Sequence, residues 1–294
     1  MPDKLHRFLL ENLHVRGEWV KLDTAWQEIL KTSSYPKPIQ TLLGEATAAI
    51  ALLAASLKFK GSLVLQMNDT YPVNMFVVQA KSDGSVRAIA RWEGGIGDQA
   101  TFGDLFRDEN KQSHMASMVI SVEQEDSTER YQSIIALQGN SIAETLSAYF
   151  EQSEQLPTHF FLSANEESAA GFMLQSLPSE FESEGWNHAL TLAKTITNDE
   201  LLDLTVEELL HRLYHEEDLR LYDPEEIHFK CTCSQQKIDN MIRSLGEKEA
   251  DSVIQEKGNI SIDCQFCNQR YELDAIDVRR IFTEIGNPGT GNLH

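Results

Sequence analysis

The sequence predicts an α+β protein whose parts follow one another along the chain. A mixed sheet-and-helix core is expected over residues 1–178, an acidic helical linker over 179–230, a small cysteine-bearing domain over 231–287 and a disordered tail over 288–294. Three observations lead there. β-prone segments alternate with helical stretches up to Pro178. The 52 residues after it carry fourteen Asp or Glu against four Lys or Arg, a net −10 of the chain's −21. The only four cysteines then stand in two tight pairs.

Within the core, Phe8 to Val20 reads as extended, and Asp23 can cap a short helix running to Lys31. The Tyr35-Pro36-Lys37-Pro38 run interrupts regular structure. The stretch from Ile39 to Phe59 is dense in Ala and Leu and apolar all round, which predicts a helix buried in a core. Ser62–Met67, Asn74–Ala80 and Val86–Trp92 read as strands, the last two joined by an Asp83-Gly84 hairpin. Met118–Val122 and Tyr131–Leu137 suggest a second hairpin. Ser141 with Glu144 three residues on opens a helix to about Ser153, and Phe160–Leu162 and Phe172–Gln175 close the region as strands.

The acidic stretch keeps a helical period, with Leu201, Leu202, Leu204, Val206, Leu209, Leu210 and Leu213 set among carboxylates. Such helices fold by docking an apolar face, and like-charge repulsion lowers their own stability. The segment therefore reads either as an ordinary solvated helical linker or as one that unfolds once its neighbour loosens.

Cys231 and Cys233 form a C-x-C pair, and Cys264 and Cys267 a C-x-x-C pair, thirty residues apart. Zinc favours four thiolates in a tetrahedron with sulfurs about 2.3 Å away, and each pair can supply two corners. Helices at Gln235–Leu245 and Glu247–Glu256, strands at Ile260–Ile262 and Tyr271–Leu273, and a closing helix at Asp277–Phe282 would surround the site. So small a domain has little core of its own, which a metal staple would explain. The same spacing admits local disulfides. Oxidation would remove ligands in pairs, release the metal and forfeit folding free energy on the order of 10 kcal/mol.

The acidic balance opposes nucleic acid and anionic membranes as partners, since no basic run offsets it. The N-terminus lacks the apolar stretch of a secretory signal, and Ala46–Leu57 is too short to span a bilayer. Zinc-spaced cysteines then suggest a reducing cytoplasm. His6, His14, His114, His159, His188, His211, His215 and His228 are scattered without a nucleophile motif, and His215 and His228 are weighed only as extra ligands. A thiol–disulfide oxidoreductase at Cys264–Cys267 lacks a surrounding βαβ pattern, and a nucleic-acid-binding zinc ribbon meets the wrong charge.

The run Arg212-Leu213-Tyr214-His215-Glu216-Glu217, the stretch from Tyr222-Asp223-Pro224 through Phe229-Lys230-Cys231-Thr232-Cys233-Ser234, and Cys264-x-x-Cys267 closely resemble the redox-regulated heat-shock chaperones of the 33-kilodalton class. Ser153 to Thr158 and Leu57-Lys58-Phe59 are similar to that family's core motifs. The resemblance implies an ATP-independent holdase and not an enzyme. It implies one zinc per chain held in the reduced form by Cys231, Cys233, Cys264 and Cys267. Under oxidant and heat, 231–233 and 264–267 disulfides would form, zinc would leave and the linker would unfold. The chain would then dimerise and hold unfolding client proteins for ATP-dependent cytosolic foldases.

Overall fold

A computed structural model describes residues 3–57, 59–68, 70–106, 116–125, 130–178 and 182–283. In chain order the elements are β1 (Asp3–Leu10), β2 (Val15–Leu22), α1 (Thr24–Leu30), α2 (Lys37–Ser56), β3 (Gly61–Asn68), β4 (Val73–Lys81), β5 (Ser85–Trp92) and α3 (Phe102–Phe106). There follow β6 (Ser117–Gln124), β7 (Arg130–Ala136), α4 (Ile142–Gln152), β8 (Thr158–Ala164), β9 (Ala169–Ser176), α5 (Glu182–Ala193), α6 (Asn198–Asp203) and α7 (Val206–Tyr214). The last are β10 (Leu219–Leu221), β11 (Glu225–Phe229), α8 (Gln235–Leu245), α9 (Glu247–Lys257), β12 (Ile260–Asp263), β13 (Arg270–Leu273) and α10 (Ala275–Thr283). They fall into two compact units, Met1–Lys230 and Cys231–His294. The expected tail over 288–294 lies outside the described residues.

The larger unit is built on one mixed sheet in the order β7-β6-β3-β4-β5-β11-β1-β2-β9-β8, with β10 also paired to β1. Every pairing is antiparallel except that of β11 with β5. Successive strand residues point to opposite faces, and here both faces of β1, β2 and β9 are buried. Leu5, Val20, Leu22 and Met173 join the core around α2. Phe8, Leu10, Val15, Trp19, Phe172 and Leu174 face the other way, into a second core with residues of α5, α6 and α7.

Helix α2 spans 20 residues, and its most apolar stretch is long enough to cross a membrane, yet 67% of that stretch is buried inside the fold. It is a core helix. Gly44 permits its close approach to the β8–β9 hairpin, because a Cβ there would sit 2.4 Å from that of Ala164.

Several expectations are corrected in detail. The extended stretch from Phe8 to Val20 is part of a hairpin whose reversal uses His14 at φ 52°, a residue with no turn signal of its own. Asp23 makes no side-chain cap for α1. Asp3, one strand away, does that work: its carboxylate accepts from the N–H groups of Asp23, Thr24 and Ala25 at 2.9, 2.9 and 2.6 Å. The acidic stretch is helical only as far as Tyr214, and Leu219–Leu221 and Glu225–Phe229 return to the sheet as strands. Much of its acidity has a structural use. Glu200 and Glu208 close capping boxes with Thr197 and Thr205. Arg212 pairs with Glu200 at 2.5 Å, and Arg7 with Glu225.

One buried acid gives a pH dependence. Glu18 is 2% exposed, and Oε2 has no hydrogen-bond partner. Burial pushes its carboxyl up from 4.5 to about 7, against the opposing pull of Arg16 and Arg7. The folded state thus keeps this proton to higher pH than the unfolded chain. The associated stability is present below about 4.5 and is lost as pH rises to about 7, an effect of about 3 kcal/mol. The thermal midpoint of wild type relative to Glu18→Gln should therefore fall between pH 5 and pH 8. A difference that stays constant with pH would refute this assignment.

Candidate metal centre

Among the described residues, the smaller unit has a core of seven buried side chains, Ile238, Ile242, Ala250, Ile260, Leu273, Val278 and Ile281. This is a thin core for three helices and a two-stranded sheet. Its local signals are nonetheless strong. Ser234 caps α8 by accepting from the Lys237 N–H, Gly258 ends α9 in the left-handed conformation, and Asp263 and Arg270 pair across the hairpin at 2.8 Å.

The second cysteine pair lies in the turn between β12 and β13. Asn268 N–H donates to the Cys264 carbonyl at 2.8 Å, and Cys264 N–H to the Gln269 carbonyl at 2.9 Å. Asn268, at φ 57°, supplies the left-handed step that closes the turn. The first pair lies just after β11 and just before the α8 cap. The four Sγ atoms converge within 4.8 Å of one another. Cys231 Sγ is 3.5 Å from Cys264 Sγ, and Cys233 Sγ is 3.5 Å from Cys267 Sγ. All four are free and partly buried.

A tetrahedral ion with bonds of about 2.3 Å separates its sulfurs by about 3.8 Å, so the cluster matches the dimensions of one four-thiolate centre. The electrostatics agree. Burial raises the Cys231 thiol, but the Cys233 N–H and the thiols of Cys267, Cys233 and Cys264 outweigh it and bring it down to about 7. Burial pushes Cys264 up, and its contact with Cys231 adds to that; Cys267 is pushed up by burial and by its three thiol neighbours. The cluster thus accommodates one thiolate readily and resists the next, the pattern of coupled like-charged sites. A divalent cation at the centre removes that repulsion and lets all four ionise. The group could hold a metal ion, and these donors suit zinc.

Sequence reasoning found the four cysteines and missed Tyr271. Its interaction with the Cys233 thiol pushes the phenol up to about 12. Opposite Ile262 in the hairpin, Tyr271 reads from sequence only as a strand residue. The metal group among the described residues contains no histidine. His215 caps the C-terminus of α7 and His228 lies in β11, both in the larger unit.

A large α+β unit followed by a small module with four clustered thiols defines a protein with an appendage that could hold a metal ion. The model of the Hsp33 protein family matches residues 3–274. The 33 kDa chaperonin of Shewanella sediminis is 43% identical over 98% of both chains. That of Pseudomonas aeruginosa strain PAO1 is also 43% identical, over 98% of this chain and 97% of its own. The crystal structure of the 33 kDa chaperonin of Thermotoga maritima superposes with a TM-score of 0.81 at 20% identity, covering 98% of this chain and all of that one. The chain belongs to the Hsp33 family.

Proposed function

We infer that this Hsp33-family chain is a redox-regulated chaperone, a holdase rather than an enzyme, switched by its four-cysteine cluster. The observation that carries the reading is the convergence of Cys231, Cys233, Cys264 and Cys267 in a module with so small a core. In the reduced state these thiolates would hold one zinc ion, whose chemistry is to keep all four sulfurs deprotonated and the module folded. Peroxide takes two electrons from each thiolate pair, forms one S–S bond and, with two protons, leaves as two waters. The pairing we propose is 231–233 and 264–267. A tetrahedral cluster brings all its sulfurs to similar separations, so this pairing rests on the family resemblance and on the short covalent spacing within each pair.

The consequence would pass along the chain. Only Lys230 separates Cys231 from β11, and β11 is held by two register pairs to β5 and three to β1. Upstream, α5–α7 depend on docking an apolar face against β1, β2 and β9. We propose that residues 179–230 act as an acidic linker between a 1–178 core and the 231–287 switch domain, and that they unfold when the ion is lost. The exposed leucine faces would then hold unfolding clients in a cytoplasmic homodimer that passes them to ATP-dependent foldases. Neither nucleic acid nor membrane is required as a partner.

The test follows zinc with a release dye and a thermally unfolding client by light scattering. Peroxide with mild heat should release one zinc per chain and suppress client aggregation. Zinc release that leaves aggregation unaltered would refute the chaperone reading and spare the metal site.

A further inference from the structure

We propose a second metal site, outside the cysteine module, formed by His211 and His215 on α7 and taking a borderline first-row ion such as Zn2+ or Ni2+. The two residues are four apart and exposed, hence one above the other on the helix surface. Their ring centroids are 5.5 Å apart, with planes inclined by 25°. An ion bonded to an imidazole nitrogen at about 2.1 Å lies about 3.2 Å from the ring centroid, so two imidazoles at a tetrahedral angle have centroids about 5.2 Å apart. The centroid spacing is that of a chelating pair. The rings are stacked, so rotation of the exposed His211 ring is the step that would turn a nitrogen of each toward one ion.

The tautomer is suited to the task as well. His215 Nδ1 is 3.1 Å from the His211 carbonyl oxygen. A carbonyl can only accept, so Nδ1 carries the proton and Nε2 keeps its lone pair. That is the arrangement ligating histidines adopt, with the far nitrogen anchored to a backbone carbonyl. Glu216 Oε1 lies 3.9 Å from this Nε2 on a side chain that is 86% exposed, free to swing in as an oxygen ligand or to bond a coordinated water.

The local field favours a cation. His215 is the C-cap of α7, where the helix carbonyls carry partial negative charge, and Glu216, Glu217 and Asp218 follow it. Arg212, between the two histidines, is turned to Glu200 at 2.5 Å and the Thr195 carbonyl at 3.0 Å. Imidazole and carboxylate donors select zinc, nickel or copper over the hard cations.

An ion bridging residues four apart binds only the helical form and so stabilises it by mass action. On the reading that unfolding of this segment turns the chaperone on, occupancy here would raise the oxidant or heat threshold. The binding experiment below does not depend on that reading. The zinc-loaded full-length chain, its cysteines occupied, is titrated with Ni2+ in a calorimeter, and retained zinc is counted afterwards. The expected result is one Ni2+ per chain with zinc fully retained. His211→Gln and His215→Gln should each weaken uptake at least about tenfold, the loss that even outer-sphere changes cause. Both histidines are exposed, and unchanged far-ultraviolet circular dichroism would show that the variants fold. No Ni2+ uptake by the wild type, undiminished uptake in either variant, or a thiolate-to-nickel charge-transfer band with zinc lost would each overturn the proposal.

Discussion

Cys267→Ser is expected to lose the metal and, with it, the fold of the smaller unit. Removing one of four thiolates opens a site whose closed form would contribute on the order of 10 kcal/mol. The seven buried side chains that remain cannot replace that sum, because a core of this size rarely supplies more than about 3–5 kcal/mol. Zinc stoichiometry should fall well below one per chain, and amides of α8, β12, β13 and α10 should exchange freely. Cys231→Ser should behave alike, since each residue would supply one corner. A variant that keeps one zinc per chain with unchanged affinity would show that the four sulfurs are not the ligand set.

The second large effect is expected at Tyr214. This ring is 1% exposed, its hydroxyl donates to the Ala189 carbonyl at 3.0 Å, and its centroid is 6.4 Å from that of Phe8. Phe8 in turn stacks on Phe172 at 5.3 Å, and it covers Gly17 so closely that a Cβ there would fall 2.0 Å from the ring. One aromatic column therefore ties α5 and α7 to β1, β2 and β9. Tyr214→Ala removes its outer member at a cost of about 3–5 kcal/mol. Hydrogen exchange should accelerate across α5–α7 while β3–β6 stay protected, and client aggregation should be suppressed with zinc still bound and no oxidant. Looser helices without gain of activity would separate linker unfolding from the switch.

The legibility of the chain follows the range of the interactions involved. The four cysteines were readable because ligand spacing is a local property, as were the helices of the small unit with their Ser234 and Gly258 boundaries. Helix α2 was readable from its apolar run, although it starts at Lys37, two residues earlier than expected, and ends at Ser56. Asp3 as the cap of α1 was not readable, because a partner twenty residues away leaves no pattern in the helix it caps. Nor was the pairing of β11 with β1 and β5, which joins residues more than a hundred positions apart and whose acidic alternation resembled more of the helical segment. The capping boxes at Thr197 and Thr205 were legible in principle: each Thr-x-x-Glu stands before an apolar residue, but the surplus of acids obscured them. Tyr271 became visible only when folding brought its phenol under the influence of the cysteine cluster.

The most direct measurement is native-state hydrogen exchange with mass spectrometry, before and after peroxide treatment and chelation. Residues 182–214 and 231–283 should lose protection together as the ion departs, while the strands around α2 keep theirs. Full protection of both segments after all four thiols have been oxidised and the metal withdrawn would contradict the account at its root.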